Sequence, residues 1–386
     1  MSGVVLVSTA EFTLKSHPVR QLLIRLLKRH IRSNLKRIGL ENYRIAQAGG
    51  YLVVAGLDDT EKTAKELAQI FGVAHADACQ PTSLDLEEIA ECAAKQAQQR
   101  VKIGDTFAIR ARNFEPSKMK GKEIEIRAGS EVLSRLPSGS KVNLSNPDHT
   151  VRVFYGAKEA FVSSARFNGP GGLPVGSQGS LLGIATDPAL APLAFYLLMK
   201  RGAMVWPIVP DLPLPIGGIS PEQTLEGLKR LRRYVPKNTY PARLITIDAA
   251  TRDAIAFTSS GVQRVFCLRL VFRTVKHLAR NALGLVTADR FGQGGIESLK
   301  DLRMADEAAT FPVFRPLLTL DEADMRRQLE ELGLVQAETS KTATQLSSVA
   351  EGFLIDEVRT LENRLHVEEL ACKIAADSKK IQIDFQ

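Results

Sequence analysis

The stretch GPGGLPVGSQGSLLGIATDPALAPLAFYLLMKRG, residues 169–202, constrains the fold of this chain most. A glycine-rich turn leads into an apolar strand at 181–185. Six residues, 186–191, then separate that strand from an apolar helix at 192–201. A strand that passes directly into a helix cannot return as a hairpin, and a strand with two apolar faces needs cover on both sides. Both properties belong to a strand–helix unit of a parallel sheet. The pattern then repeats, with strands expected at 204–209, 242–247 and 283–287 and helices at 221–234, 262–281 and 320–332. This alternation predicts a doubly wound α/β domain, with its ligand crevice beyond the carboxyl ends of the strands. Residues 347–380 read as helical and charged, and no solenoid-length repeat is present.

The front of the chain follows a different order. A strand at 4–7 precedes a helix at 19–35 with Leu22, Leu23, Leu26 and Leu27 inward. Arg20, Arg25, Lys28, Arg29, Arg32 and Lys36 face outward in that periodicity. A strand at 51–55 follows Gly49-Gly50, and Thr60 is placed to cap a helix running to Ile70. The order strand, helix, strand, strand, helix predicts a small ferredoxin-like α+β unit. Asp85 then opens a helix to about Arg100, followed by a strand at 106–110 and a basic segment, Lys118-Met119-Lys120-Gly121-Lys122. A helix at 123–136 and strands at 141–144, 151–155 and 160–162 complete this part.

Charge divides the chain in the same way. Of the net charge of +8, residues 1–168 carry +7, and the first fifty residues hold nine Lys or Arg against two acids. A basic front joined to a nearly neutral back points either to a polyanion-binding module or to a solvated charged face. The 386 residues exceed one ordinary core, so two or three domains are expected. No apolar run reaches about 18 residues, so no membrane span is expected, and no secretory leader is visible at the start. Four scattered cysteines fit neither a disulfide framework nor a zinc pattern and suit a reducing cytoplasm. The six histidines show no ligand spacing, so no metal is expected.

Three passages carry a family resemblance. Gly169-Pro170-Gly171-Gly172-Leu173-Pro174-Val175-Gly176 is followed at the right distance by Tyr196-Leu197-Leu198-Met199-Lys200-Arg201-Gly202. Leu285-Val286-Thr287-Ala288-Asp289-Arg290-Phe291-Gly292-Gln293 is similar to a loop of the form LVTGExLGQ, and Arg315-Pro316-Leu317-Leu318 to RPLI. Arg269 and Arg273 sit at an RMMxR spacing. In this order the passages resemble the tRNA 4-thiouridine synthetases, sulfurtransferases that also serve thiamine synthesis in some organisms. The resemblance implies a ferredoxin-like domain at 1–60, an RNA-binding THUMP domain at 61–168 and a Rossmann-like PP-loop ATP-pyrophosphatase domain at 169–386.

Two departures from that family bear on activity. Its PP-loop motif, SGGxDS, falls on Thr186, Asp187, Pro188, Ala189, Leu190 and Ala191. Phosphate binding there needs backbone N–H groups converging at a helix N-terminus, with glycines allowing close approach. Pro188 has no N–H, Asp187 adds a negative charge, and Leu190 replaces the motif's carboxylate. Thr186 or Asp187 is then expected to act as a helix cap. The second departure is the stretch 336–343, which contains no cysteine where the family places the thiol that carries sulfur, and only a thiolate does this. Gly292 and Gln293 read as a phosphate-binding loop or as a plain turn after a strand.

The sequence reading is therefore of a cytoplasmic, homodimeric tRNA-binding protein whose PP-loop domain is inactive, with no cofactor. It would act as a scaffold or as the partner of a tRNA-modification enzyme. The RNA contacts are expected from Lys15, Arg20, Arg25, Lys28, Arg29, Arg110, Arg112, Lys118, Lys120 and Lys122. The alternatives are an active sulfurtransferase that uses ATP and Mg at a rearranged site, and a ribosome-associated factor that binds rRNA.

Overall fold

The computed structural model describes residues 3–12, 15–212, 221–236, 239–279, 281–291, 299–334 and 351–384. The chain forms two compact units, Met1–Pro174 and Val175–Gln386.

In the first unit the elements run β1 (Gly3–Thr9), α1 (His17–Arg37), β2 (Arg44–Ala48), β3 (Tyr51–Leu57), α2 (Thr60–Leu67) and β4 (Val73–Thr82). They continue with α3 (Leu86–Gln98), β5 (Thr106–Asn113), α4 (Gly121–Arg135), β6 (Lys141–Val142), β7 (His149–Tyr155) and β8 (Ala160–Asn168). All eight strands join one sheet, in the order β2-β3-β1-β4-β8-β7-β5-β6. The first four are the ferredoxin-like half, and β4 pairs antiparallel with β8 to carry the sheet into the second half. Strand β4 escaped the sequence reading because His75 and Asp77 interrupt its apolar residues.

Alternation along the strands separates two faces. Val5, Val7, Val54, Ala76 and Ala78 meet α1 and α2 in one core, and Ile109, Val151, Val153 and Val162 meet α3 and α4 in another. Both cores lie on the same side of the sheet. The opposite side has no helix and carries only a small apolar cluster around Val4, Leu6, Tyr51, Cys79, Phe154 and Phe161. Two local expectations are corrected. Asp59, not Thr60, caps α2, its carboxylate accepting Lys62 N–H at 2.9 Å. Leu22 is 55% exposed, and Ile24 takes its place in the core, because the buried stripe of α1 runs through Leu23, Leu27, Ile31 and Leu35.

The glycine-rich passage after β8 is held to the turn that precedes β4. Gly171, at φ +67°, donates to Val73 O at 2.9 Å and accepts from Gly72 N at 2.8 Å. A Cβ on Gly169 would stand 2.3 Å from Val73 O, so the backbone approaches there more closely than any side chain permits.

The second unit begins with β9 (Ser180–Ile184), α5 (Ala191–Lys200), β10 (Met204–Asp211), α6 (Pro221–Leu231), β11 (Pro241–Thr246), α7 (Ala249–Ala256) and α8 (Ser260–Leu278). It ends with β12 (Leu285–Thr287), α9 (Leu299–Asp306), β13 (Val313–Phe314), α10 (Glu322–Glu331), α11 (Glu351–Arg364), α12 (Val367–Asp377) and β14 (Lys379–Gln382). The sheet order is β13-β12-β9-β10-β11-β14. The parallel α/β sheet expected from the sequence is present, with an antiparallel edge strand, β14 on β11, that begins in the last two residues of the stretch read as helical. Arg269 and Arg273 do not reach the crevice. Arg269 donates to both oxygens of Glu362, at 2.6 and 3.0 Å, and Arg273 donates to Glu368 at 2.8 Å, tying α8 to α11 and α12.

Candidate functional site

The loop between β9 and α5 stands at the carboxyl end of the parallel strands. Gly183 lets β9 lie close to its neighbours, since a Cβ there would meet Val205 at 2.5 Å and Phe195 at 2.7 Å. The Asp187 carboxylate turns back into the loop and accepts from Ala189 N–H at 3.0 Å and Leu190 N–H at 3.2 Å. Asp187 therefore closes the turn ahead of α5 rather than capping the helix, whose N-cap residue is Leu190 with no side-chain hydrogen bond. Thr186 instead accepts from Ala288 N–H at 3.1 Å, joining the ends of β9 and β12. Burial pushes the Asp187 carboxyl above the usual aspartate range, against the pull of the Leu190 N–H, Arg290 and the Ala189 N–H. Pro188 and Leu190 are buried. A phosphate entering this loop would have to displace a carboxylate from the N–H groups it needs, with Pro188 contributing none. The residues present do not fit ATP phosphates bound in the PP-loop manner.

Beside this loop Arg315 is fully engaged. Its Nε donates to Asp289 at 2.9 Å, its other nitrogens donate to Asp306 at 2.6 and 3.0 Å, and Thr287 donates to the same Asp289 oxygen at 2.7 Å. The motifs around Thr287 and Arg315 thus meet as a closed polar network. Gly292, Gln293 and residues 336–343 lie outside the described residues. Burial pushes the Cys92 thiol up to about 11 and the Cys267 thiol to about 12, and also raises the Cys79 thiol well above its usual value. None of these three is a thiolate at neutral pH, and Cys372 is exposed on α12. Among the described residues no group of three His, Cys, Asp or Glu side chains could hold a metal, and no helix is long and apolar enough to cross a membrane.

The basic residues of the first unit fall on several surfaces. Lys15 is exposed just before α1; along α1, Arg25 and Arg29 are exposed and Arg20 and Lys28 half-buried, on the helix side of the sheet. Lys118, Lys120 and Lys122 are exposed around the start of α4, and Lys120 pairs with Glu123 at 3.5 Å. Arg110 and Arg112 are exposed on β5, opposite Arg152 and Phe154 of β7. Phe154 belongs to the helix-free apolar cluster, so both arginines point to the helix-free face.

On that face a group absent from the sequence reading comes together. Arg166 of β8 grips the fully buried Asp77 of β4 in a bidentate pair, at 2.9 and 3.0 Å. His75 lies 3.7 Å from the same carboxylate, and its Nε2 has no hydrogen-bond partner among the described residues. Arg112 stands 6.0 Å from the centre of the Tyr51 ring. Burial, then Arg166, lower the Arg152 guanidinium; the same two causes, with Arg112 and Arg152 adding, lower His75. Arg166 is the guanidinium that pairs with this carboxylate, and Arg110 and Arg112 stand exposed on the same face. The only signal in sequence was a charged pair, His75 and Asp77, inside an apolar run.

Comparison with known proteins gives these parts an identity. Residues 4–76 match the ThiI ferredoxin-like domain, residues 84–165 the THUMP domain and residues 176–351 the thiamine biosynthesis protein ThiI. A probable tRNA sulfurtransferase of Methanosarcina mazei is 23% identical over 99% of this chain and 96% of its own length. One of Thermococcus kodakarensis is 26% identical over 88% of this chain and 90% of its own. The crystal structure of a 4-thiouridine synthetase–RNA complex with bound ATP superposes with a TM-score of 0.82 at 18% identity, covering 100% of both chains. PH1313 from Pyrococcus horikoshii gives 0.63 at 22% identity, over 86% of this chain and 99% of its own. The chain thus carries these three domains in succession and is similar over nearly its whole length to proteins named tRNA sulfurtransferases.

Proposed function

We propose that the chain binds tRNA through its first unit and serves tRNA thiolation, and that it does not bind ATP phosphates in the 186–191 loop. The RNA part is supported by the THUMP domain, by the exposed Arg110 and Arg112 on the helix-free face, and by the RNA bound in the 4-thiouridine synthetase of similar fold. Arginines on an open sheet give phosphate contacts and affinity, and shape and 2′-hydroxyl contacts supply the preference for structured RNA. The second unit then acts as a scaffold, or as a docking surface for a modification enzyme, in a homodimer. The observation that carries this reading is the Asp187 carboxylate on the N–H groups of Ala189 and Leu190.

A second reading is an active sulfurtransferase that forms 4-thiouridine with ATP and Mg. It is favoured by the relatives, which bear that name across most of this chain, and the comparisons weigh more toward it than toward a scaffold. Calorimetric titration of the purified protein with ATP and Mg separates the two. No saturable heat is expected, and micromolar ATP affinity would overturn the scaffold reading. Nucleoside mass spectrometry of tRNA from a deletion strain completes the test. Loss of 4-thiouridine with ATP affinity means an enzyme, and loss without it means a partner. For the RNA part, replacing Arg112 and Arg152 together by Gln is expected to lower the slope of log affinity against log salt by about 2. Equal affinity of the wild-type protein for tRNA and for random RNA would remove the tRNA assignment.

A further inference from the structure

The end of the second sheet away from the 186–191 loop holds a cavity of about 240 Å³. Its walls are apolar: Trp206 of β10, Pro241 at the start of β11, Leu278 at the end of α8, and Ala282 beyond it. Arg243 of β11 and Lys380 of β14 also line it, and among the described residues no acidic one does.

These two cations are direct cross-strand partners in the register of β11 and β14. Like charges in that position destabilise a strand pair. Arg243 donates to the neutral Ser378 hydroxyl at 2.8 Å, and among the described residues neither cation forms an ion pair with a carboxylate. The arrangement is an apolar chamber with two mutually repelling cations in its wall, a combination that an anion with an apolar body would satisfy.

We propose that this cavity binds a small organic carboxylate with a ring-sized apolar body. The carboxylate lies between Arg243 and Lys380, where the planar guanidinium offers two parallel donors. The body lies against Trp206. The volume is below the roughly 300–1,000 Å³ typical of drug-sized ligands, which limits the body to one ring or a short branched chain. Nothing in this proposal depends on RNA binding or on the state of the 186–191 loop.

Trp206 is the only tryptophan in the chain, so its fluorescence reports the cavity directly. The probe is benzoate, titrated into the full chain, with benzamide (the same ring without charge) and sulfate (charge without a ring) as controls. Benzoate is expected to give a saturable change at sub-millimolar concentration, benzamide to bind weaker by roughly tenfold or more, and sulfate to give no saturable change. Lys380→Gln is expected to weaken benzoate by roughly tenfold while leaving the melting temperature of the free protein equal or higher, because the repulsion is gone. Lys380 is exposed, so this change leaves the packing intact. Ala282→Leu, which fills the chamber without touching charge, is expected to abolish the fluorescence response. The proposal is overturned if benzoate gives no saturable change up to tens of millimolar, if benzamide binds as well, or if sulfate competes equally. Unchanged benzoate binding in both variants also overturns it.

Discussion

The carboxyl-end loop of the second unit and the helix-free face of the first both gather charge, and they differ in how it is balanced. In the second unit the groups named at the loop have internal partners: Asp187 takes two N–H groups, and Arg315 is shared between Asp289 and Asp306. In the first unit Arg166 pairs with Asp77 while Arg110 and Arg112 stand exposed on the same face, and His75 has a nitrogen without a hydrogen-bond partner among the described residues. Buried polar groups cost free energy unless they are paired. A site whose groups pair with one another leaves little for a ligand to gain, whereas surplus charge next to solvent is stabilised by a polyanion. The contrast separates the two regions more clearly than the presence of charge does.

The largest expected effect tests the two charge centres directly. Arg166→Met leaves the fully buried Asp77 without its pair and is expected to destabilise the first unit by about 3–5 kcal/mol in denaturant unfolding. Arg315→Met is expected to cost less, because Asp289 keeps the Thr287 hydroxyl. A larger loss for Arg315→Met would break the comparison.

The next effect is a pH response of opposite sign in the two units. Burial, with Arg29 adding, pushes the His30 imidazole from 6.5 down to about 4. The native state therefore binds fewer protons than the unfolded chain between these values. Stability is complete above pH 6.5 and falls as pH drops toward 4, by about 3 kcal/mol in all. Asp187, raised by burial, contributes the other way: its stabilisation is present at low pH and lost as pH rises through its native value. Unfolding of the two units followed separately, by hydrogen exchange against pH, checks both signs, and His30→Gln is expected to flatten the first.

Asp187→Ala comes third. It removes the acceptor of two loop N–H groups and is expected to cost about 1 kcal/mol. It is not expected to create ATP affinity, because Pro188 still offers no donor; ATP binding by this variant in calorimetry would show that the carboxylate alone had closed the loop. The smallest effect is at Lys120, whose ion pair with Glu123 is exposed. Lys120→Gln is expected to change stability by less than about 0.5 kcal/mol.

Much of the loop was legible in the sequence because its rules are local. Pro188 lacks a donor wherever it lies, and an aspartate before a helix is a capping residue in most contexts. That Asp187 closes the turn before α5, with Leu190 at the N-cap, needed the backbone. Strand β4 was missed because its alternation is broken by His75 and Asp77, the same residues that organise the basic face. The ten basic residues named from sequence are mostly exposed, yet periodicity did not show that α1 and β5 direct theirs to opposite sides of one sheet.

By itself the sequence determined the alternation of strands and helices and the absence of glycine from residues 186–191, since each depends on neighbours within a few positions along the chain. Only the tertiary structure decided which charges are paired. Asp77 meets Arg166 across 89 positions, Arg269 meets Glu362 across 93, and Arg243 comes to face Lys380 through an edge strand at the far end of the chain. Partners that distant are set by strand register and helix packing, so the balance of charge that distinguishes a closed site from an open one exists only in the folded molecule.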